Sequence, residues 1–195
     1  AYESGGALAG EVLAWTSATA RATALVLHAG YWCKTGALTR RYVGTIFPDT
    51  TTTCSELWNG GNWVAATAKA GVWNFLAPKR RGFQVWDSTD SWSVAASTCQ
   101  YQNASANNRL DYVVGLAEGV LDATTVQQAQ PSTTSFQCGF GHDQNTSFNA
   151  PLRGGASATT TTMLNAGASW KMPITAIGLH YLAALERAGA GATMT

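Results

Sequence analysis

Charge is the scarcest property of this sequence: Asp, Glu, Lys and Arg make up only 12% of its 195 residues, roughly half the share usual in a soluble globular domain. Twelve basic and eleven acidic side chains leave a formal net charge of +1. Such a balance gives no attraction to nucleic acid or to an anionic membrane surface. No apolar run reaches the roughly eighteen residues that a membrane-spanning helix needs. Neither nucleic acid nor membrane insertion is therefore expected. The chain starts at Ala1 without an initiator Met or a basic-then-apolar leader pattern, and is read as a processed product or an interior piece of something longer.

Catalytic signatures are also missing. There is no GxSxG elbow to expose a serine, no HExxH, no calcium-loop spacing and no glycine-rich phosphate loop after a strand. The four cysteines, Cys33, Cys54, Cys99 and Cys138, are too far apart for a CxxC pair or a zinc ribbon. They are either buried free thiols or two disulfides, with three pairings open. Of the three histidines, His28 and His180 sit in apolar strands and read as core or interface residues. His142 stands beside Asp143, in a segment that reads as a solvent-facing turn. Acids suited to glycoside chemistry could be Glu118 with Asp122, or Glu56 with another, but a facing pair is not visible in one sequence. No enzyme, no metal and no cofactor are expected.

What is present is apolar and β-branched. Hydrophobic residues form 46% of the chain and there are 20 glycines, enough for one packed core. The polar surface must come from Thr, Ser, Asn, Gln and backbone, and weak net charge permits dense assembly. Short strands punctuated by Gly, Pro and Asn turns recur along the chain. Residues 20–28 and 31–34 read as a hairpin across Ala29-Gly30. Residues 40–47 read as one strand, and 72–76 and 82–86 as two strands around a charged bend. Residues 100–109 read as an exposed connection. A long β-rich stretch runs through 110–128, with Gly119 as a bulge or bend, and another strand spans 136–141. Residues 142–162 form the longest loop, and a final strand covers 174–182, where Ile177, Tyr181 and Leu185 also share a helical face. About ten such strands predict an all-β, antiparallel β-sandwich of jelly-roll type, as a single domain over 1–195.

Eight tryptophans are many for this length, because each buried indole N–H wants a partner. Trp58 and Trp63 bracket an Asn-Gly-Gly-Asn turn and are the first candidates for exposed, ligand-stacking rings; Trp92 is the next. The basic groups Arg40-Arg41 and Lys79-Arg80-Arg81 read as edge-blunting or ion-pairing residues at a subunit contact, or else as a small anion patch. Asn103 and Asn145 head two N-glycosylation patterns.

The segment Arg40-Arg41-Tyr42-Val43-Gly44-Thr45-Ile46 resembles a motif of structural proteins of tailed bacteriophages. The likeness extends to Leu13-Ala14-Trp15-Thr16, to Arg21-Ala22-Thr23-Ala24-Leu25, and to Trp73-Asn74 with Lys79-Arg80-Arg81. It covers most of residues 8–125 and carries no catalytic signature. The four cysteines and the Trp-rich insert 58–63 depart from the pattern. The resemblance implies a virion component of tail-fibre, spike or head-decoration type, located on the particle surface. Its partners would be copies of itself and other virion proteins. A host-surface glycan is the alternative ligand, and a polysaccharide depolymerase the third reading.

Overall fold

A computed structural model describes residues 1–48, 56–57, 67–77, 82–87, 89, 91–94, 97–131, 136–149, 153–156, 164–188 and 192–194. Among these the chain is all-β, with a single short 3-10 turn at Gln102–Ala104 and no α-helix. Two sheets form a sandwich. The larger runs in the order Arg153–Ala156, Phe136–His142, Gly178–Ala188, Arg109–Val114, Ala68–Ala70 and Glu56–Leu57, with Gln100–Tyr101 paired to the far end of Gly178–Ala188. The smaller runs Trp92–Val94, Ala192–Met194, Val120–Pro131 and Leu164–Pro173. Pairing is antiparallel except where Ala68–Ala70 runs parallel to Arg109–Val114.

The register decides which side chains face inward. Phe136 pairs with Ala188, Cys138 with Glu186 and His142 with Leu182, while Tyr112 lies directly opposite His180. Because side chains alternate with period two, Phe136, Cys138, Phe140 and His142 share one face with His180, Leu182, Glu186 and Ala188. That face packs on the smaller sheet through two apolar clusters. Val94, Phe136, Cys138, Ala166 and Ala188 form one. Tyr112, Val114, Phe140 and Leu182 form the other, against Leu121, Ala123 and Trp170. Phe136 and Leu185 have no exposed surface, and burial of each contributes about 1.5–3 kcal/mol.

Residues 1–48 build small sheets beside the sandwich: Tyr2–Ser4 with Ala7–Ala9, Trp15–Ser17 with Ala20–Arg21, and the meander Leu25–His28, Tyr31–Lys34, Ala37–Arg41. The hairpin across Ala29-Gly30 forms as expected, with both turn residues at positive φ (48° and 83°), the geometry that two-residue hairpin turns demand. Arg21 fastens this region to the sandwich. Its guanidinium lies over the rings of Trp15 and Tyr42, 5.0 and 5.1 Å from their centroids, and donates to the Gly115 carbonyl.

Several expected boundaries move. The segment 40–47 is two strands, Ala37–Arg41 and Gly44–Ile46, that pair with different partners. No strand forms over 82–86. The strand before it ends at Asn74, whose Oδ1 accepts the N–H groups of Leu76 and Ala77, a local turn that competes with the ladder. The last long strand is Gly178–Ala188 rather than 174–182. His180 and Leu182 are buried on one of its faces and Ala183 and Leu185 on the other, so its near-continuous apolar run reflects burial on both faces rather than a helical stripe. The expected loop 142–162 contains the strand Arg153–Ala156.

Candidate functional site

Two polar groups interrupt the apolar interior, one at each end of Gly178–Ala188. At the first, Glu186 is completely buried. Its carboxylate accepts from Trp92 Nε1 at 3.1 and 3.0 Å, Gln127 Nε2 at 2.6 Å, Gln100 Nε2 at 3.2 Å and the Asn103 N–H at 2.9 Å. Burial pushes its pKa above the ordinary carboxylate range, while those donors oppose the rise. Every partner donates, so the carboxylate works as an inter-sheet staple. Nearby, burial disfavours charge on Asp87, but amides of Asn108 and Asn103 and the Thr89 N–H outweigh it and hold that carboxyl below its usual range.

The second group is His142, Asp143, His180 and Tyr112. His180 Nδ1 lies 2.7 Å from Asp143 Oδ2, and His142 Nε2 lies 3.7 Å from the same oxygen. The Tyr112 hydroxyl is 2.7 Å from His142 Nε2. The imidazoles stack with centroids 5.3 Å apart and planes inclined by 25°, and Trp170 meets His142 edge-on. Burial pushes the Tyr112 phenol far above its ordinary pKa, with the Asp143 charge adding to the rise. Burial lowers the pKa of His142, Asp143 opposes that, and His180 adds to the lowering. His180 Nε2 is buried without a hydrogen-bond partner among the described residues.

Local structure fixes this group. Asp143 has a positive φ of 53°, uncommon outside glycine but tolerated best by Asp and Asn. Its N–H donates to the Tyr181 carbonyl and its Oδ1 accepts from the Tyr181 N–H, leaving Oδ2 for the histidines. Asn149 Oδ1 accepts the His142 N–H at 2.6 Å.

The residues singled out from sequence fare differently. Trp58, Trp63, Lys79, Arg80, Arg81 and Cys54 lie outside the described residues. Trp92 is half-buried in a strand against the Val94 cluster, with its N–H committed to Glu186, rather than an exposed ring on a loop. It still lines a cleft of about 1530 Å³ between the sheets, together with Trp86, Asp87, Asn108 and Arg109. Arg40 pairs with Glu11 at 2.5 Å and lies over Tyr2, and Arg41 lies over Tyr31; both serve contacts within the chain. Cys33, Cys99 and Cys138 are free thiols, so no disulfide joins them. Burial pushes the Cys138 thiol up to about 11. His28 is exposed rather than in the core, and Asn103 and Asn108 are bound into the Asp87 and Glu186 network instead of lying on an exposed connection. That engagement also argues against Asn103 as a glycan acceptor. Glu186, and the meeting of His142 with His180, escaped the sequence reading. A lone acid within the apolar 178–188 run is the one signal that could have marked the former.

Comparisons with protein-family models, curated proteins and solved structures found no match to this chain.

Proposed function

We propose that this chain is a structural component of a tailed-bacteriophage particle, working by oligomeric packing rather than by catalysis. One observation carries the reading most: within residues 1–48 only Cys33 and Thr45 are buried. Over the same stretch Leu8, Val12, Leu27 and Ile46 are exposed by 85, 88, 58 and 55%. Three hairpin-like sheets without a core of their own are stabilised when a neighbour covers them, and Val12, Leu13, Val43, Ile46 and Leu76 line one concavity, a contiguous apolar surface of the kind that marks an interaction face. The scarcity of charge and the likeness to phage structural proteins over residues 8–125 support the same reading. The partners are copies of the chain or other particle proteins, with the exposed apolar residues within 8–46 as the contact. Sedimentation velocity tests this: a defined oligomer that persists in high salt is expected. A monomer at every concentration, in the presence of the other particle proteins as well, overturns it.

A second reading, recognition of a host-surface glycan, has one observation in its favour. The cleft between the sheets presents Trp86, 42% exposed, beside Asp87 and Arg109. A flat ring flanked by charged side chains is chemistry that sugars use. Glycan-array binding that Trp86→Ala abolishes is expected from it, and an empty array removes it.

A further inference from the structure

We propose that His142, Asp143 and His180 form a binding site for one divalent first-row metal ion, with zinc the best match. Each of the three offers a ligand atom, and these atoms all lie within 4.8 Å of one another. In a tetrahedral site with metal–N near 2.0–2.1 Å and metal–O near 2.0–2.2 Å, ligand atoms stand about 3.3–3.5 Å apart. The observed 2.7 Å from His180 Nδ1 to Asp143 Oδ2 and 3.7 Å from His142 Nε2 to that oxygen bracket this spacing. An ion would replace the direct His180–Asp143 contact and draw together ligand atoms that now spread over as much as 4.8 Å.

The donor set selects the class of metal. Two imidazoles and one carboxylate suit zinc and its borderline neighbours, whereas calcium and magnesium demand oxygen ligands. The Tyr112 hydroxyl is 2.7 Å from His142 Nε2, a hydrogen bond that metal binding at this nitrogen would replace. Asp143 is 41% exposed and His180 only 7%, so the cluster has a solvent-facing entry and a dry floor.

The site is also preorganised from outside. The Tyr181 N–H occupies Asp143 Oδ1, the Tyr181 carbonyl holds the Asp143 N–H, and Asn149 holds the backbone of His142. Such outer contacts orient ligands in metal centres. The ion would tie the turn after Phe136–His142 to Gly178–Ala188, stabilising one end of the sandwich whether or not the chain assembles.

The test uses the full chain without a polyhistidine tag, stripped with chelator and titrated with zinc and with cobalt(II). One equivalent is expected to bind. Cobalt should give the visible absorption of a four-coordinate nitrogen–oxygen site without a thiolate charge-transfer band, which separates it from the free cysteines. Asp143→Asn and His180→Gln should each weaken binding by more than about 100-fold, beyond what loss of an outer-shell partner costs. His28→Gln should bind like the parent. Circular dichroism identifies any variant that fails to fold; Asp143→Asn, at an exposed turn, then decides the matter with His142→Gln. No one-to-one binding by the parent, or unchanged binding by folded Asp143→Asn and His142→Gln, overturns the proposal.

Discussion

The indole Nε1 of Trp92 lies 3.0 Å from Glu186 Oε2, and this contact joins the smaller sheet to the central strand of the larger one. Gln127 makes a second link from the smaller sheet to the same carboxylate. A buried acid surrounded only by donors stabilises one arrangement of the two sheets, because any slip leaves donors unpaired in the interior.

Removing that acid should be costly. Glu186→Ala strands Trp92 Nε1, Gln127, Gln100 and the Asn103 N–H in the core, each at about 1–3 kcal/mol if unrelieved. A loss of at least about 3 kcal/mol is expected by urea denaturation. Glu186→Gln should cost less, since the amides of Gln127 and Gln100 can turn to accept from the new amide.

The same residue gives a pH signature. Burial raises its folded pKa above the ordinary value of 4.5, so the fold favours the protonated form. Its contribution is fully present below the unfolded pKa and is lost as pH rises through the higher folded value. The stability of the parent relative to Glu186→Gln should therefore fall as pH rises from the ordinary carboxylate range through the higher folded value, measured as the difference between two denaturation series. A difference that grows with pH would contradict the assignment.

Gly141 precedes the His142–Asp143 turn, and a Cβ there would meet the Gln144 carbonyl oxygen and lie 2.8 Å from Leu185 Cδ1. Backbone cannot yield as a side-chain tip can. Gly141→Ala should cost about 1–3 kcal/mol, seen as a lowered melting temperature.

Surface apolar residues should behave in the opposite way. Leu8 and Val12 are almost fully exposed, so replacing both with Ser should change the stability of an isolated chain by no more than about 0.5 kcal/mol each. The same change should shift a sedimenting oligomer toward monomer. Loss of stability without a change of assembly would contradict the assignment of this face.

Local patterns are legible in the sequence and long-range meetings are not. Alternation and turn chemistry found the Ala29-Gly30 hairpin and the strand through Phe136, Cys138 and Phe140, because both depend on neighbours in the chain. The bond between Trp92 and Glu186 spans 94 positions, and His180 reaches Asp143 over 37. Such pairs are set by sheet register, which one sequence does not display. Trp92 looked like a loop ring because the strand holding it is only three residues long. The segment 174–188 was ambiguous because a strand buried on both faces loses its alternation.

Immunogold labelling of particles from the source culture, with serum raised against this chain, tests the particle assignment most directly. Regular labelling on heads or tails is the expected result, and its position separates a decoration from a fibre or spike. Unlabelled particles, with the protein free in the medium, would contradict the assignment.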